Sequence, residues 1–255
     1  RRGYGGTAML PHNLPMTVLG AALLWFGGFG LNAGSELGAN ALAANAFIAS
    51  QGAAAAATVS WVLLEWVRSG KPTVLGAASG CIAGLVAITP AAGFVAPMPA
   101  IFIGFVGGAV CYGAVAVLKA KMGYDDPLDA FGVHGLGGTW GSIARCLFET
   151  TSVNPAGADG LFYGDAHLLM AQVISTVVAY ALAIVGSFLL YKIVNAITPM
   201  RADEAEETAG LDIVEHGEHG YTGETFSASP MLSSFLGESA DAASFSSTML
   251  ENPGK

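Results

Sequence analysis

Charge is what this sequence has least of. Only 11% of its 255 residues are Asp, Glu, Lys or Arg, against about a quarter in a soluble domain. Lys and Arg number ten and form no basic patch, which argues against a nucleic-acid partner. Cysteine is sparse too. Cys81, Cys111 and Cys146 stand singly in apolar stretches, without disulfide or metal-ligand spacing, and read as small packing residues. The sequence has no H-E-x-x-H, no G-x-S-x-G and no phosphate-cradling G-x-x-x-x-G-K, so enzymatic chemistry is the weakest reading. His216 and His219 lie three apart in an acidic stretch, which is weak ground for a metal site. No cofactor is implied.

What is abundant is apolar and small. Hydrophobic residues make up 53% of the chain, with 35 glycines and a mean hydropathy of +0.56. That composition describes a polytopic, all-α membrane bundle, in which Gly and Ala let helix backbones approach closely. Six spans are expected, over about 14–34, 39–67, 74–94, 100–118, 127–148 and 167–196. Each is long enough to cross a bilayer, and the second is long enough to imply tilt. Gly70-Lys71-Pro72 separates the second from the third, and Pro97 and Pro99 separate the third from the fourth.

Basic residues set the orientation. Arg1 and Arg2, Arg68 and Lys71, Lys119 and Lys121, and Lys192 and Arg201 all fall on one side of this six-span arrangement. The other side holds Glu36, Glu149, Asp159 and Asp165, with Arg145 the only basic residue near it. Both ends and the alternate loops are therefore expected in the cytoplasm, with the loop 154–164 outside. The chain opens on Arg1-Arg2 rather than methionine, so an upstream portion is expected.

The net charge of −9 belongs to the end of the chain. From Arg201 onward there are eleven acidic and two basic residues, whereas residues 1–200 carry eight of each sign. The domain division is thus 1–200 in the membrane and 201–255 as a cytoplasmic tail. The tail reads as a regulatory segment to about 222, followed by a Ser-, Ala- and Gly-rich stretch expected to be disordered.

Within the fifth span, Asp129-Ala130-Phe131-Gly132-Val133-His134-Gly135 places an ionisable side chain near mid-membrane. A histidine at that depth is costly and marks a functional candidate by default. The alternative is a neutral imidazole that merely bonds a neighbouring helix. Asp129, five residues before His134, is not expected to share its face closely and reads as a helix cap or loop organiser. In the first span, Asn32 and Ser35 share a helix face and offer acceptors to a hydrogen-bonding cation. They serve equally as a helix end satisfied by its own polar residues. Glu65 and Arg68 read as a structural ion pair. Ser79, Gly80, Gly84 and Gly93, with Thr89-Pro90, read as close helix contacts and a kink.

Taken together, these stretches resemble the ammonium transporter family (Amt/Mep/Rh), in its Amt form. The pattern runs through Pro11-His12-Asn13-Leu14-Pro15, Leu31-Asn32-Ala33-Gly34-Ser35, Gly70-Lys71-Pro72 and Gly84-Leu85-Val86-Ala87-Ile88-Thr89-Pro90. It continues through Asp125-Asp126-Pro127, Asp129 to Gly135, Gly210-Leu211-Asp212, His216-Gly217-Glu218 and Tyr221. The resemblance implies an eleven-span fold made of two inverted five-helix repeats and a final helix, assembled as a homotrimer with one pore per subunit. This chain then holds the second repeat and the last helix.

The resemblance also assigns roles. His134 corresponds to one of two paired pore histidines, the other lying upstream. Ser35 corresponds to an outer site that holds ammonium by a hydroxyl and aromatic faces, an arrangement that suits cation–π attraction. Gly28 stands where the family usually has Trp, and Leu31 where it usually has a gating Phe, with Phe26 and Phe29 nearby. The implied pathway is His134, Ser35, Leu31, Phe29, Gly28 and Ala130, with Asp129, Asn32 and Asp126 structural. Gly210, Asp212, His216, Gly217, Glu218 and Tyr221 form the implied regulatory tail. The substrate is ammonium, ammonia or methylammonium, in the plasma membrane, with a cytoplasmic regulator as a candidate tail partner. Two other readings are an ammonium-binding sensor that signals through its tail and an Rh-like gas channel. The Asp129–Gly135 motif favours the Amt form over the last.

Overall fold

The computed structural model describes residues 9–220. Arg1, Arg2, Tyr221 and the stretch from about Thr222 lie outside the described residues. Among the described residues every regular element is helical, and there is no strand. The chain divides into two units, 1–198 and 199–255.

The first unit holds α1 (Leu14–Gly34), α2 (Ala41–Ser69), α3 (Val74–Ile88), α4 (Pro97–Gly113), α5 (Lys119–Met122), α6 (Gly137–Phe148) and α7 (His167–Ile197). A π-helical turn, Ala114–Leu118, joins α4 to α5, and a second, Phe131–Leu136, leads into α6. These segments occupy the six expected spans. Leu14–Gly34, Ala41–Ser69, Pro97–Met122 and His167–Ile197 are each long and apolar enough to cross a membrane. A bilayer core offers no water to backbone groups, so helices that bond internally are the structures that fit it.

Local chemistry sets the ends. The Asn13 side chain caps α1 by accepting from the Met16 N–H, and Asn40 caps α2 by accepting from Leu42 and Ala43. These are the side-chain acceptors that helix N-termini require. Gly70 closes α2 in the left-handed region at φ 76°, donating to the Trp66 carbonyl. A residue without Cβ enters that region at no steric cost.

Several expected details change. Glu65 turns away from Arg68: its carboxylate accepts from the Thr73 N–H and hydroxyl, both at 2.9 Å. It thereby braces the residue that caps α3. The third span ends its helix at Ile88 rather than kinking on to Phe94. Pro90 has no N–H to continue the ladder, and Asn45 of α2 donates to the Ala92 and Val95 carbonyls beyond it. Asp126, not Asp129, is the cap at the start of the fifth span, accepting from the Ala130 and Phe131 N–H groups at 3.0 and 2.8 Å. Asp129 organises the loop instead, at φ 56° and paired with Lys119. Gly93 meets no neighbour within 4 Å of a built Cβ, so it is not a contact glycine.

The core is an alanine stripe clasped by two glycine pairs. Ala53, Ala54 and Ala57 of α2 are fully buried. Gly80 and Gly84 of α3 lie against this stretch from one side, and Gly104 and Gly108 of α4 from another. Each pair has the small-x-x-x-small spacing that brings one helix face flush with its neighbour, where van der Waals packing holds membrane helices together. In the same way Gly141 seats α6 on α3: a Cβ there would stand 2.2 Å from the Ala87 carbonyl oxygen. Helix α7 packs on α6 and has no buried residue, while α1 buries only Asn32. All three cysteines are free and buried, in keeping with packing roles.

The second unit carries α8 (Glu204–Ala209) and α9 (Leu211–His216). Asp203 and Glu206 form a reciprocal capping box on α8. The Asp212 carboxylate accepts from the Gly220 N–H at 3.0 Å, and that bond holds its pKa below the usual carboxylate range. Asp212 thus closes the loop containing His216, Gly217 and Glu218.

Candidate functional site

Two cavities meet at His134. The first, of about 730 Å³, lies among α1, α3, α6 and α7 and is lined by Gly28, Leu31, Asn32, Thr89, Thr139 and Tyr180, among others. Its walls are mostly apolar. The second, of about 870 Å³, is more polar and includes His12, Ser79, Lys119 and Asp129. His134, Leu24 and Ile82 line both. A side chain that can both give and take a hydrogen bond therefore stands at the boundary, flanked by two aliphatic residues.

The backbone places it there. His134 sits in the π-helical turn Phe131–Leu136, a wider coil than the α-helix and a frequent feature of functional sites. Gly132 allows the turn to lie against the other π-helical turn: a Cβ at Gly132 would stand 2.9 Å from Val115. Asp129, which precedes the turn at φ 56°, lines the same polar cavity as His134. Lys119 donates to the Asp126 carbonyl at 3.1 Å and pairs with Asp129, so the cation on this wall is compensated.

The first cavity gathers Gly28, Leu31 and His134 from the expected pathway set, together with Asn32 from the structural one. Gly28 does not leave a hole of full size, since the Leu85 side chain lies 3.2 Å from where its Cβ would be. Leu31 is exposed at 62%. Asn32 is 9% exposed, and its amide donates to the Ser50 hydroxyl at 2.9 Å, tying α1 to α2. The other three expected residues lie elsewhere. The Ser35 hydroxyl donates back to the Leu31 carbonyl. Phe29 stacks on Phe47 with centroids 4.1 Å apart. Ala130 is exposed, and its N–H is held by Asp126.

Sequence reasoning missed Thr139 and Tyr180. Thr139 is hydrogen-bonded to Tyr180 at 2.6 Å and donates to the Gly135 carbonyl at 2.7 Å. The available signal was a hydroxyl-bearing aromatic midway along a predominantly apolar span, which lipid penalises unless it finds a partner.

At the far end of α6 a second polar cluster fixes the following loop. Glu149 is fully buried and bonds Arg145 at 2.7 Å. It also accepts from the Ala158 N–H, and the Arg145 guanidinium stacks 3.7 Å from the centre of the Phe94 ring. A buried carboxylate is tolerable only with such compensation. Among the described residues no group of three or more His, Cys, Asp or Glu is placed to hold a metal.

This arrangement has known relatives. The Ammonium Transporter Family matches residues 1–221. An ammonium transporter of Bacillus subtilis is 57% identical over 216 residues, covering 85% of this chain and 54% of the relative. Ammonium transporter Amt1 of Archaeoglobus fulgidus is 45% identical over 222 residues, covering 87% of this chain and 56% of the relative. Among solved structures, Mep2 of Saccharomyces cerevisiae superposes with a TM-score of 0.71 at 36% identity, over 77% of this chain and 46% of that one. A protein described as a sensor Amt protein superposes with a TM-score of 0.72 at 29% identity, over 80% of this chain and 49% of that one. The chain spans about half the length of the relatives it matches. It is an integral membrane protein and belongs to the ammonium transporter family.

Proposed function

We propose that this chain supplies one wall of a hydrophobic, histidine-lined path by which ammonium or ammonia crosses the bilayer. The observation that carries the reading is His134 at the junction of an apolar cavity and a polar one. A bare cation entering the apolar side loses its hydration, at a cost of several kcal/mol or more per ion. Potassium has no escape from that cost. Ammonium can leave a proton behind and pass as neutral ammonia, using imidazole nitrogens as hydrogen-bond partners on the way. Leu31 and Gly28 shape the mouth of the apolar cavity, and Asn32 stiffens it. The reading is transport rather than catalysis.

By the positive-inside rule, the Lys119 cavity faces the cytoplasm and the Leu31 end faces out. Ser35, Phe29 and Ala130 then flank the path rather than line it in this half. The complete assembly is read as a homotrimer in the plasma membrane, with the tail around Asp212 offered to a cytoplasmic regulator. A sensor reading is the alternative, supported by the likeness to the sensor Amt protein and by the ordered loop that Asp212 closes.

The deciding experiment expresses the whole gene that encodes this chain in cells lacking other ammonium transporters. Radiolabelled methylammonium uptake is measured with a potassium competition series. His134→Ala is expected to lower uptake or weaken discrimination against potassium. Leu31→Phe, which adds bulk at the mouth, is expected to change rate more than expression. If His134→Ala leaves rate and selectivity untouched, the central role of that histidine is wrong. Ammonium-dependent signalling without uptake would favour the sensor.

A further inference from the structure

The wall beside His134 contains a hydroxyl triangle that the transport reading does not use. The Tyr180 hydroxyl of α7 lies 2.6 Å from the Thr139 hydroxyl and 3.2 Å from the Gly135 carbonyl. The Thr139 hydroxyl lies 2.7 Å from that same carbonyl. Two hydroxyl protons serve three contacts, and each hydroxyl has one to give. The two shortest contacts select the order: Tyr180 donates to Thr139, and Thr139 donates to Gly135.

The accepting carbonyl belongs to the residue after His134, within the same π-helical turn. Such a turn has a looser backbone ladder than an α-helix, and Gly135 brings no Cβ to restrict it. Side-chain hydroxyls add to what the backbone ladder gives this carbonyl. Thr139 reaches it from one turn further along the same helical run, and Tyr180 reaches Thr139 from another helix. Tyr180 is half-buried on a helix that otherwise has no buried residue, so packing alone holds it weakly. Both hydroxyl residues line the cavity that His134 closes.

We infer that Tyr180 is a positioning residue for His134, acting through Thr139 and the Gly135 carbonyl. It holds the π-helical turn so that the imidazole stays at the junction of the two cavities. The inference rests on the transport role of His134 given above. It assigns to α7 a part in selectivity that no contact with substrate is needed to explain.

The test is a double-mutant cycle in the same methylammonium assay, at matched surface expression. Tyr180→Phe keeps the ring and removes the hydroxyl. It is expected to lower uptake by about three- to tenfold, the range that one interhelical hydrogen bond supports. It should also shift potassium inhibition in the same direction as His134→Ala. Added to His134→Ala it should cost nothing further, because the group it positions is already gone. Thr139→Val is expected to behave like Tyr180→Phe, and Thr139→Ser, which keeps the hydroxyl, to recover the lost uptake. That pair decides the matter if Tyr180→Phe fails to reach the surface.

Wild-type behaviour of both Tyr180→Phe and Thr139→Val overturns the inference, as do effects that multiply with His134→Ala. A silent His134→Ala overturns the inference and the transport role together, whereas the first two outcomes leave that role intact.

Discussion

Gly104 of α4 lies so close to Ala53 of α2 that a Cβ at position 104 would stand 2.2 Å from the Ala53 carbonyl oxygen. No side chain can occupy that space without driving two helices apart. The contact closes α4 onto the fully buried alanine stripe of α2, and α3 leans on the same stripe through Gly84.

Gly104→Ala is therefore expected to destabilise the bundle by about 1–3 kcal/mol, the cost of overpacking a closed interface. Gly93→Ala, where nothing lies within 4 Å, is expected to be neutral or slightly stabilising. Thermal unfolding of the two variants in detergent checks the pair. Equal melting temperatures would show that the α2–α4 contact yields more than its geometry allows.

The loop after α6 should depend on pH through Asp159. Its carboxylate accepts from the Thr151 N–H at 2.8 Å and from the Thr151 hydroxyl at 3.1 Å, and the backbone bond holds its pKa below the usual carboxylate range. A carboxylate depressed in the folded state stabilises above its unfolded pKa and loses that contribution as pH falls through the folded value. The loop is expected to be pinned at neutral pH and released only in acid, below the ordinary range for Asp. Hydrogen exchange at the Thr151 amide, across an acid titration, reads this directly. Asp159→Ala, which removes the acceptor, should give fast exchange at every pH, and protection unchanged in that variant would remove Asp159 as the anchor.

Topology follows from the alternation of basic residues. Single cysteines introduced at 154–164 should react with an impermeant thiol reagent from outside the cell, and those at 70–71 only after permeabilisation. The native cysteines are buried and give a low background. Labelling of both stretches from one side would refute the six-span orientation.

The tail should matter up to the loop that Asp212 closes and little beyond it. Truncation after Met200 removes α8 and α9 and is expected to impair uptake. Truncation after Thr222 leaves both and is expected to have a small effect. Equal uptake by the two truncations and the intact protein, at matched surface expression, would count against a regulatory role.

Much of this protein follows from sequence alone because lipid simplifies the problem. A bilayer demands helices, so apolar length located the six segments, and Asn13, Asn40 and Gly70 marked ends that local hydrogen bonding enforces. His134 announced itself as an ionisable group where ionisation is costly. The order of the motifs from Pro11 to Tyr221 carried the family. What only the tertiary structure decided are the contacts in which one side chain chooses among partners. Glu65 takes Thr73 over Arg68 because the α2–α3 turn brings an unsatisfied helix N-terminus within reach. Asp126 takes the cap from Asp129, whose positive φ turns it toward Lys119. Asp129 and His134 line one cavity although they come from different backbone conformations, a loop residue at positive φ and a π-helical turn. Tyr180 meets Gly135 across 45 residues of sequence, a pairing set by how α7 crosses α6. Hydrophobic pattern specifies which segments enter the membrane, but helix-on-helix register rests on close packing of small residues, which becomes visible only when the backbones are in place.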